Sequence, residues 1–408
     1  MKLLLLILII SCQECLTKKK SSKYEHSVRY HIFTLDKNQT IDLVHNIDVN
    51  ISGICNPKTR SDYKLITHGF AETWNMTFRW NWVQEMIEEM LKSNQAKSLC
   101  IIAVDWAELA KGAKLTMNYW KAIENMKVTA EIMSIYSDKM KMNEKKFHCI
   151  GFSLGAHMCS IFYKTYFEMY KRKPFRITGL DPAGPFFSSK NTSEKLHHTD
   201  ADLVDIIHTS DNFGLDEKNG HMDFYPDLGD INACNEVKQR FDNLENVILY
   251  EETTTNKKGV EYKEIQLNNL TEIDTLSVEN LKKKLNSLFC KVKDFFSNKP
   301  KRVFISLHQF FGCSHLMSVR YFIYSINKCD YKSHMCNKKQ DFEMKKCLDN
   351  SNSYDFARMG YHTERSNNKY LTSYGNFYLN TTNKPPYCDP SQNYKPGFFR
   401  SLWNKIIG

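Results

Sequence analysis

Along most of the chain, short unbroken apolar runs alternate with segments whose apolar residues recur at a period near 3.6. The runs predict buried strands and the periodic segments predict helices. Residues 28–34 alternate enough for a first strand, and 41–51 offer a second. Leu65-Ile66-Thr67 is a short strand delivered into His68-Gly69-Phe70. From Trp80 to Leu91 a helical period carries Trp80, Val83, Ile87 and Leu91 on one side, with Glu85, Glu88 and Glu89 largely elsewhere. Ser98 to Trp106 has the near-continuous apolar character of a central parallel strand. Residues 119–140 and 159–169 read as helices, and 147–150, Arg176–Asp181 and Leu203–His208 as strands. This alternation predicts an α/β architecture, a mostly parallel sheet with helices on both faces and ligands at the carboxyl ends of its strands.

The pattern changes between Cys234 and Cys313, where composition shifts to Glu, Lys, Asn and Thr and residues 251–274 have almost no apolar periodicity. Helical spacing resumes from Thr275 to Asn298, with Val278, Leu281, Leu285, Leu288, Val292 and Phe295 on one stripe and lysines around it. A cationic amphipathic helix of this kind suits a lipid interface, so 275–298 is a candidate for peripheral membrane contact. The same stripe would serve equally to pack on the rest of the domain. After residue 354 come tyrosine-rich, strand-like pieces too short for a second domain of usual size.

Met1-Lys2 is followed by eight Leu and Ile residues, a run too short to span a bilayer and with the form of a signal peptide, placed here at 1–16. That leader implies a secreted, extracellular protein. Of 13 cysteines, Cys12 and Cys15 fall in or near it, which leaves an odd count in an oxidising compartment and predicts several disulfides with one thiol over. Sequons stand at Asn38, Asn50, Asn75, Asn191, Asn269 and Asn380. The formal charge is +10 with lysines scattered along the chain, and no basic module with aromatic platforms argues for nucleic acid.

The chemistry centres on Gly151-Phe152-Ser153-Leu154-Gly155, which follows an apolar strand and opens a helical segment. A strand, a sharp turn and a helix around Gly-x-Ser-x-Gly make a nucleophile elbow, in which the glycines leave room for the turn that lifts the serine hydroxyl above the sheet. A serine needs a base, and the base needs an orienting acid. Asp181 ends a strand downstream of Ser153 and leads as the acid, with Asp205 and Asp105 as alternatives. The histidines after Asp181 are His197, His198, His208, His221, His308, His315, His334 and His362, and the order Ser, Asp, His excludes none. His315 is favoured by its place beside Cys313, in a loop that a disulfide would pin.

Taken together and in order, His68-Gly69-Phe70, Val104-Asp105-Trp106, the serine pentapeptide, Gly179 to Pro185, Ile207-His208-Thr209, Gly220 to Pro226 and Cys313 to Ser318 resemble the animal pancreatic-lipase family of neutral lipases and secreted phospholipases A1. The resemblance spans residues from about 60 to 390. It implies an α/β-hydrolase fold over 17–408 with an extended lid or insertion at 235–312. It carries the triad onto Ser153, Asp181 and His315, and the oxyanion hole onto the backbone N–H groups of Phe70 and Leu154. It implies the disulfides Cys234–Cys313 and Cys336–Cys347; Cys55 with Cys100 and Cys329 with Cys388 are further pairings considered. His208, His221 and His157 read as structural.

The departures from the family matter as much. Phe152 stands where the family usually has His, and the family disulfide expected just after Cys347 is missing, the chain reading Leu348-Asp349-Asn350-Ser351. The family calcium site maps onto Thr192, Lys195, His197 and Asp200, which leaves one acid in place, and calcium needs several hard oxygen ligands. No metal or other cofactor is therefore expected. The lid interval is longer than in either branch, no C-terminal β-sandwich domain is expected, and with it no colipase. The expectation is a secreted serine hydrolase of lipid esters, lipase-like, with phospholipase A1 as the alternative; a catalytically inactive lipid-binding or yolk-like protein is the reading from another class.

Overall fold

The computed structural model describes residues 28–42, 55, 62–70, 72–74, 81–110, 115–210, 213–229, 234, 246–256, 259–268, 303–305, 307–347, 356–363 and 375–389. The chain forms two compact units, one of residues 1–233 with 314–408 and one of residues 234–313.

The first unit is built on a sheet of eleven strands: β1 Arg29–Phe33, β2 Asn38–Asp42, β3 Asp62–Thr67, β4 Leu99–Asp105, β5 Phe147–Phe152, β6 Arg176–Leu180, β7 Leu203–Ile207, β8 Met222–Pro226, β12 Lys332–Met335, β13 Phe356–Arg358 and β14 Gly375–Leu379. Their order is β13-β12-β14-β8-β7-β6-β5-β3-β4-β1-β2. From β4 to β14 every pairing is parallel, while β1, β2, β12 and β13 join antiparallel at the two edges. The expected mostly parallel sheet is present. β4 through β7 are buried almost without break, which is why they read as apolar runs rather than alternating ones. The chain moves from β3 outward to β4 and then back across to β5 on the other side of β3. The reversal point lies between the carboxyl ends of β3 and β5, where a ligand crevice opens in such sheets.

Helix α1, Trp82–Lys92, is capped by the Asn81 side chain on the Gln84 N–H and buries Trp82, Val83, Met86, Ile87 and Met90. Val83 and Ile87 of the expected stripe are buried, Leu91 is only half-buried while flexible methionines at 86 and 90 pack inward, and Trp80 lies outside the described residues. Helix α2, Leu115–Lys139, turns Ala122, Met126, Ala130 and Met133 inward. Helix α3, Leu154–Tyr170, packs on β5 and α2 and is buried all round through its first two turns. Helix α4 runs Leu307–Asn327.

The second unit contains β9 Asn246–Asn256, β10 Gly259–Asn268 and β11 Val303–Ile305 in a three-stranded antiparallel sheet. The stretch 251–274, read as lacking periodicity, therefore begins with a hairpin whose register shifts between Glu261 and Tyr262. The helix expected at 275–298 lies outside the described residues.

Among the described residues there are five disulfides. Cys234–Cys313, Cys336–Cys347, Cys55–Cys100 and Cys329–Cys388 are the pairs anticipated. Cys149–Cys159, which ties β5 to α3 across the serine turn, was not foreseen. Both cysteines sit in segments that read as strand and helix core, where a cysteine passes for a small hydrophobe. Among the described residues, no helix is long and apolar enough to cross a membrane.

Candidate active site

The serine turn is a product of backbone crowding. Ser153 sits between β5 and α3 at φ 56° and ψ −119°, a conformation that a residue with a side chain adopts only when its surroundings enforce it. Enforcement is visible: the Ser153 N–H donates to the Leu180 carbonyl at 3.0 Å and its carbonyl accepts from Ala156 and Ala183. The flanking glycines face each other, and a Cβ on Gly151 would run into the Gly155 carbonyl. Gly155 in turn lies against the Thr67 and His68 carbonyls at the end of β3. Pentapeptide and His-Gly-Phe segment thus meet at the crevice.

Asp181 follows β6 at φ 44° and is fully buried. Its Oδ1 accepts the Thr209 and Ser210 N–H groups at 2.8 and 3.2 Å, and its Oδ2 meets the Ser210 hydroxyl and His315 Nδ1, the last at 2.5 Å. These donors offset the cost of burying the carboxyl group. His315 was expected in a loop, whereas it lies within α4. Helix geometry, rather than the neighbouring disulfide, aims its ring. With Nδ1–H given to Asp181, Nε2 is left as the basic nitrogen. The Phe152 and Phe213 rings flank the imidazole, at centroid distances of 4.5 and 5.9 Å.

The alternative acids are engaged elsewhere. Asp205 takes the Arg176 guanidinium at 2.7 and 2.9 Å and the Thr178 hydroxyl at 2.9 Å. Asp105 lies 3.9 Å from His31 Nε2 and 3.5 Å from His68 Nε2 and accepts the Ala107 N–H at 3.1 Å, and against the opposing effect of burial these neighbours hold its carboxyl well below the usual range. Most of the described histidines have structural contacts. His208 spans Leu215 O and Asp223 Oδ1 at 2.7 and 2.8 Å, and against the opposing effect of burial Asp223 raises its pKa. His221 Nδ1 accepts the Val204 N–H, and His362 Nε2 meets Ile326 O. His157, with no exposure, donates to Ala183 O at 2.8 Å, accepts the Leu196 N–H and stacks on Phe187. Burial pushes its pKa down to about 3. The side chain of His308 lies outside the described residues.

The 192–200 loop answers the question of calcium. Lys164 on α3 sends its ammonium to the carbonyls of Thr192 and Lys195 at 3.1 and 2.8 Å, to Ser160 Oγ at 3.0 Å and to Asp200 Oδ1 at 3.3 Å. Ser160 and the His197 N–H take the other oxygen of Asp200 at 2.7 and 2.9 Å. These oxygens are already turned on a positive charge, and a set with one acid and an ammonium at its centre does not fit a calcium ion. Lysine on a helix carries no metal signal, so the sequence pattern alone had no means of revealing this cation.

The sheet, its reversal point and the strained serine turn define an α/β-hydrolase. A family model described as Lipase matches residues 9–242 and 300–387, and the chain belongs to that family. It is 31% identical to Lipase member H of Xenopus tropicalis over 254 residues, covering 58% of this chain and 50% of that protein. Pancreatic triacylglycerol lipase of Mus musculus is 26% identical over 366 residues, 86% of this chain and 63% of the relative. Phospholipase A1 member A of Rattus norvegicus is 35% identical over 170 residues, 41% and 34% of the two chains. The chain thus spans at most about two thirds of the length of these relatives.

Proposed function

We propose that the protein is a secreted serine hydrolase of lipid esters. Ser153 Oγ attacks the ester carbonyl, His315 Nε2 takes its proton, and Asp181 holds the Nδ1–H tautomer and the imidazolium that forms. The N–H groups of Phe70 and Leu154 meet the developing oxyanion, each worth about 3 kcal/mol in the transition state. The alcohol leaves with the proton from His315, and water then repeats the sequence on the acyl-enzyme to release the fatty acid. The observation that carries the reading is the 2.5 Å contact between His315 and a fully buried Asp181 beside the strained Ser153 turn. A lipid-binding protein without turnover has no use for all three, and that counts against the inactive reading.

Triacylglycerol is the proposed substrate class, supported by the match to a triacylglycerol lipase over 86% of the chain. Phospholipase A1 activity, release of the sn-1 fatty acid, is the second reading, favoured by the 35% identity to a phospholipase A1. Residues 1–16 are proposed as a cleaved signal peptide, with the five disulfides supporting an oxidising compartment. Asn38, Asn191 and Asn380 are exposed and available for glycosylation. The interval 235–312, bracketed by the Cys234–Cys313 disulfide, is assigned as the lid.

The test is fatty-acid release from phosphatidylcholine vesicles and from triolein emulsion, side by side with Ser153→Ala. Strong triolein hydrolysis supports the lipase, and sn-1 release with triolein untouched moves the assignment to phospholipase A1. No serine-dependent release from either removes both.

A further inference from the structure

Gly69 is a closely packed point of the site, after the tighter Gly151 and Gly155. A Cβ there would lie 3.1 Å from the Ser153 Cβ and 3.3 Å from Glu72 Oε2, a close approach that favours glycine, the residue with the widest backbone freedom. The Phe70 N–H belongs to the peptide unit that starts at the Gly69 carbonyl. Because a trans peptide is planar, the direction of that carbonyl sets the direction of the N–H.

Two buried side chains hold this residue. His68 Nδ1 donates to the Gly69 carbonyl at 3.0 Å, while its Nε2 accepts the Trp106 N–H at 3.3 Å, which selects the tautomer. Glu72 Oε2 accepts the Gly69 N–H at 2.8 Å, and its Oε1 accepts the Trp82 indole N–H at 3.2 Å. Glu72 is only 3% exposed. Burial pushes its carboxyl above the usual range, and His68, the Gly69 N–H, Trp82 and His315 each pull it back. A carboxyl group is not withdrawn from water this far without a use for both oxygens. Trp82 stands edge-on to Phe152 at 5.7 Å, and Phe152 packs on His315, so the bridge joins the loop of Phe70 to the packing behind the base.

We propose that Glu72 is a positioning residue for ester hydrolysis, tying the Gly69 backbone to the Trp82 indole and thereby keeping the Phe70 N–H aimed at the oxyanion. The proposal rests on the reading of Ser153 as nucleophile and Phe70 as oxyanion donor. Glu72 touches neither substrate nor reacting atom, and it acts through Gly69. Loss of the tie releases a glycine to wander, which weakens an interaction made in the transition state and leaves ground-state binding alone.

The experiment compares the full-length secreted protein with Glu72→Gln, Glu72→Ala, Trp82→Phe and Ser153→Ala. It measures kcat and KM for p-nitrophenyl butyrate and Ki for butylboronic acid, whose tetrahedral serine adduct carries the oxyanion charge. Glu72→Ala is expected to lose roughly 10- to 100-fold in kcat with KM within about twofold, and Ki should rise in proportion. Glu72→Gln keeps one acceptor and should recover most of that loss, and Trp82→Phe, which keeps a ring against Phe152, should fall between the two. Where Glu72→Ala does not fold, Glu72→Gln and Trp82→Phe decide by the same split. Folded variants with wild-type kcat, or with the change confined to KM, overturn the proposal. A wild-type protein inert toward both ester and boronate, like Ser153→Ala, overturns the hydrolase reading first and the proposal with it.

Discussion

The ring of Phe152 lies 4.5 Å from the imidazole of His315, centroid to centroid, with the two planes inclined by 43°. Phe152 is 4% exposed and backed by Trp82, so its position is held by packing. In the proposed mechanism His315 takes the serine proton, and the new positive charge would form beside an aromatic ring. Such contacts contribute about 0.5–2 kcal/mol. Phe152→Leu, which preserves burial but removes the ring, should lower kcat by roughly 3- to 10-fold with little change in KM on a soluble ester. Unchanged kcat would show that the ring only fills space.

Lys164 provides a second test. Its ammonium meets four oxygens from Ser160, Thr192, Lys195 and Asp200. Burial lowers the pKa of Lys164 and raises that of Asp200, and each partner opposes the shift of the other. Lys164→Met leaves those oxygens facing an apolar group and should destabilise the protein by about 2–3 kcal/mol, less than a fully buried pair because the lysine is partly exposed. The melting temperature of the wild type should be the same in excess calcium and in chelator. A chelator-induced drop would mean that a metal, and not Lys164, holds this loop.

Acid should weaken the fold through two buried histidines. His157 titrates near 3 and His148 well below its usual range, burial being the main cause in both. In the unfolded chain both take up protons below about pH 6.5, and in the folded protein they do not. The unfolded state therefore binds more protons, and stability falls as pH drops from about 6.5 toward 4, by up to about 1.4 kcal/mol per unit for each group. Urea midpoints measured across that window should show the slope, and His157→Gln should flatten it. An equal slope in both proteins would exclude His157 as its source.

The Cys149–Cys159 bond closes a short loop that contains Ser153, the proposed nucleophile. In the chain-entropy view a loop of this size is worth about 2.5–3 kcal/mol. Cys149→Ala combined with Cys159→Ala should lose about that much in urea unfolding. The surviving hydrogen bonds, Ser153 N–H to the Leu180 carbonyl and Ala183 N–H to the Ser153 carbonyl, should preserve most of the proposed activity in the folded protein. If activity falls far more than the folded fraction, the bond is shaping the turn itself.

Much of this molecule is legible in one dimension. Apolar runs at β4, β5, β6 and β7 read as buried parallel strands because both faces of such strands are covered. Gly151, Ser153 and Gly155 announce the turn because only small residues allow the backbone approach that the turn requires. Asp181 is legible as a carboxylate at a strand end, since strand ends are where such a sheet places its ligands.

What the chain order leaves open depends on distances between residues far apart in sequence. His315 among the other histidines, the diversion of Asp205 to Arg176, the Lys164 ammonium among loop oxygens and the Glu72 bridge from Gly69 to Trp82 are decided by packing. Periodicity and spacing describe what each segment can do within its own reach along the chain. Which polar groups are buried, and therefore must find partners, is settled only when the sheet brings the ends of β3, β5 and β6 together.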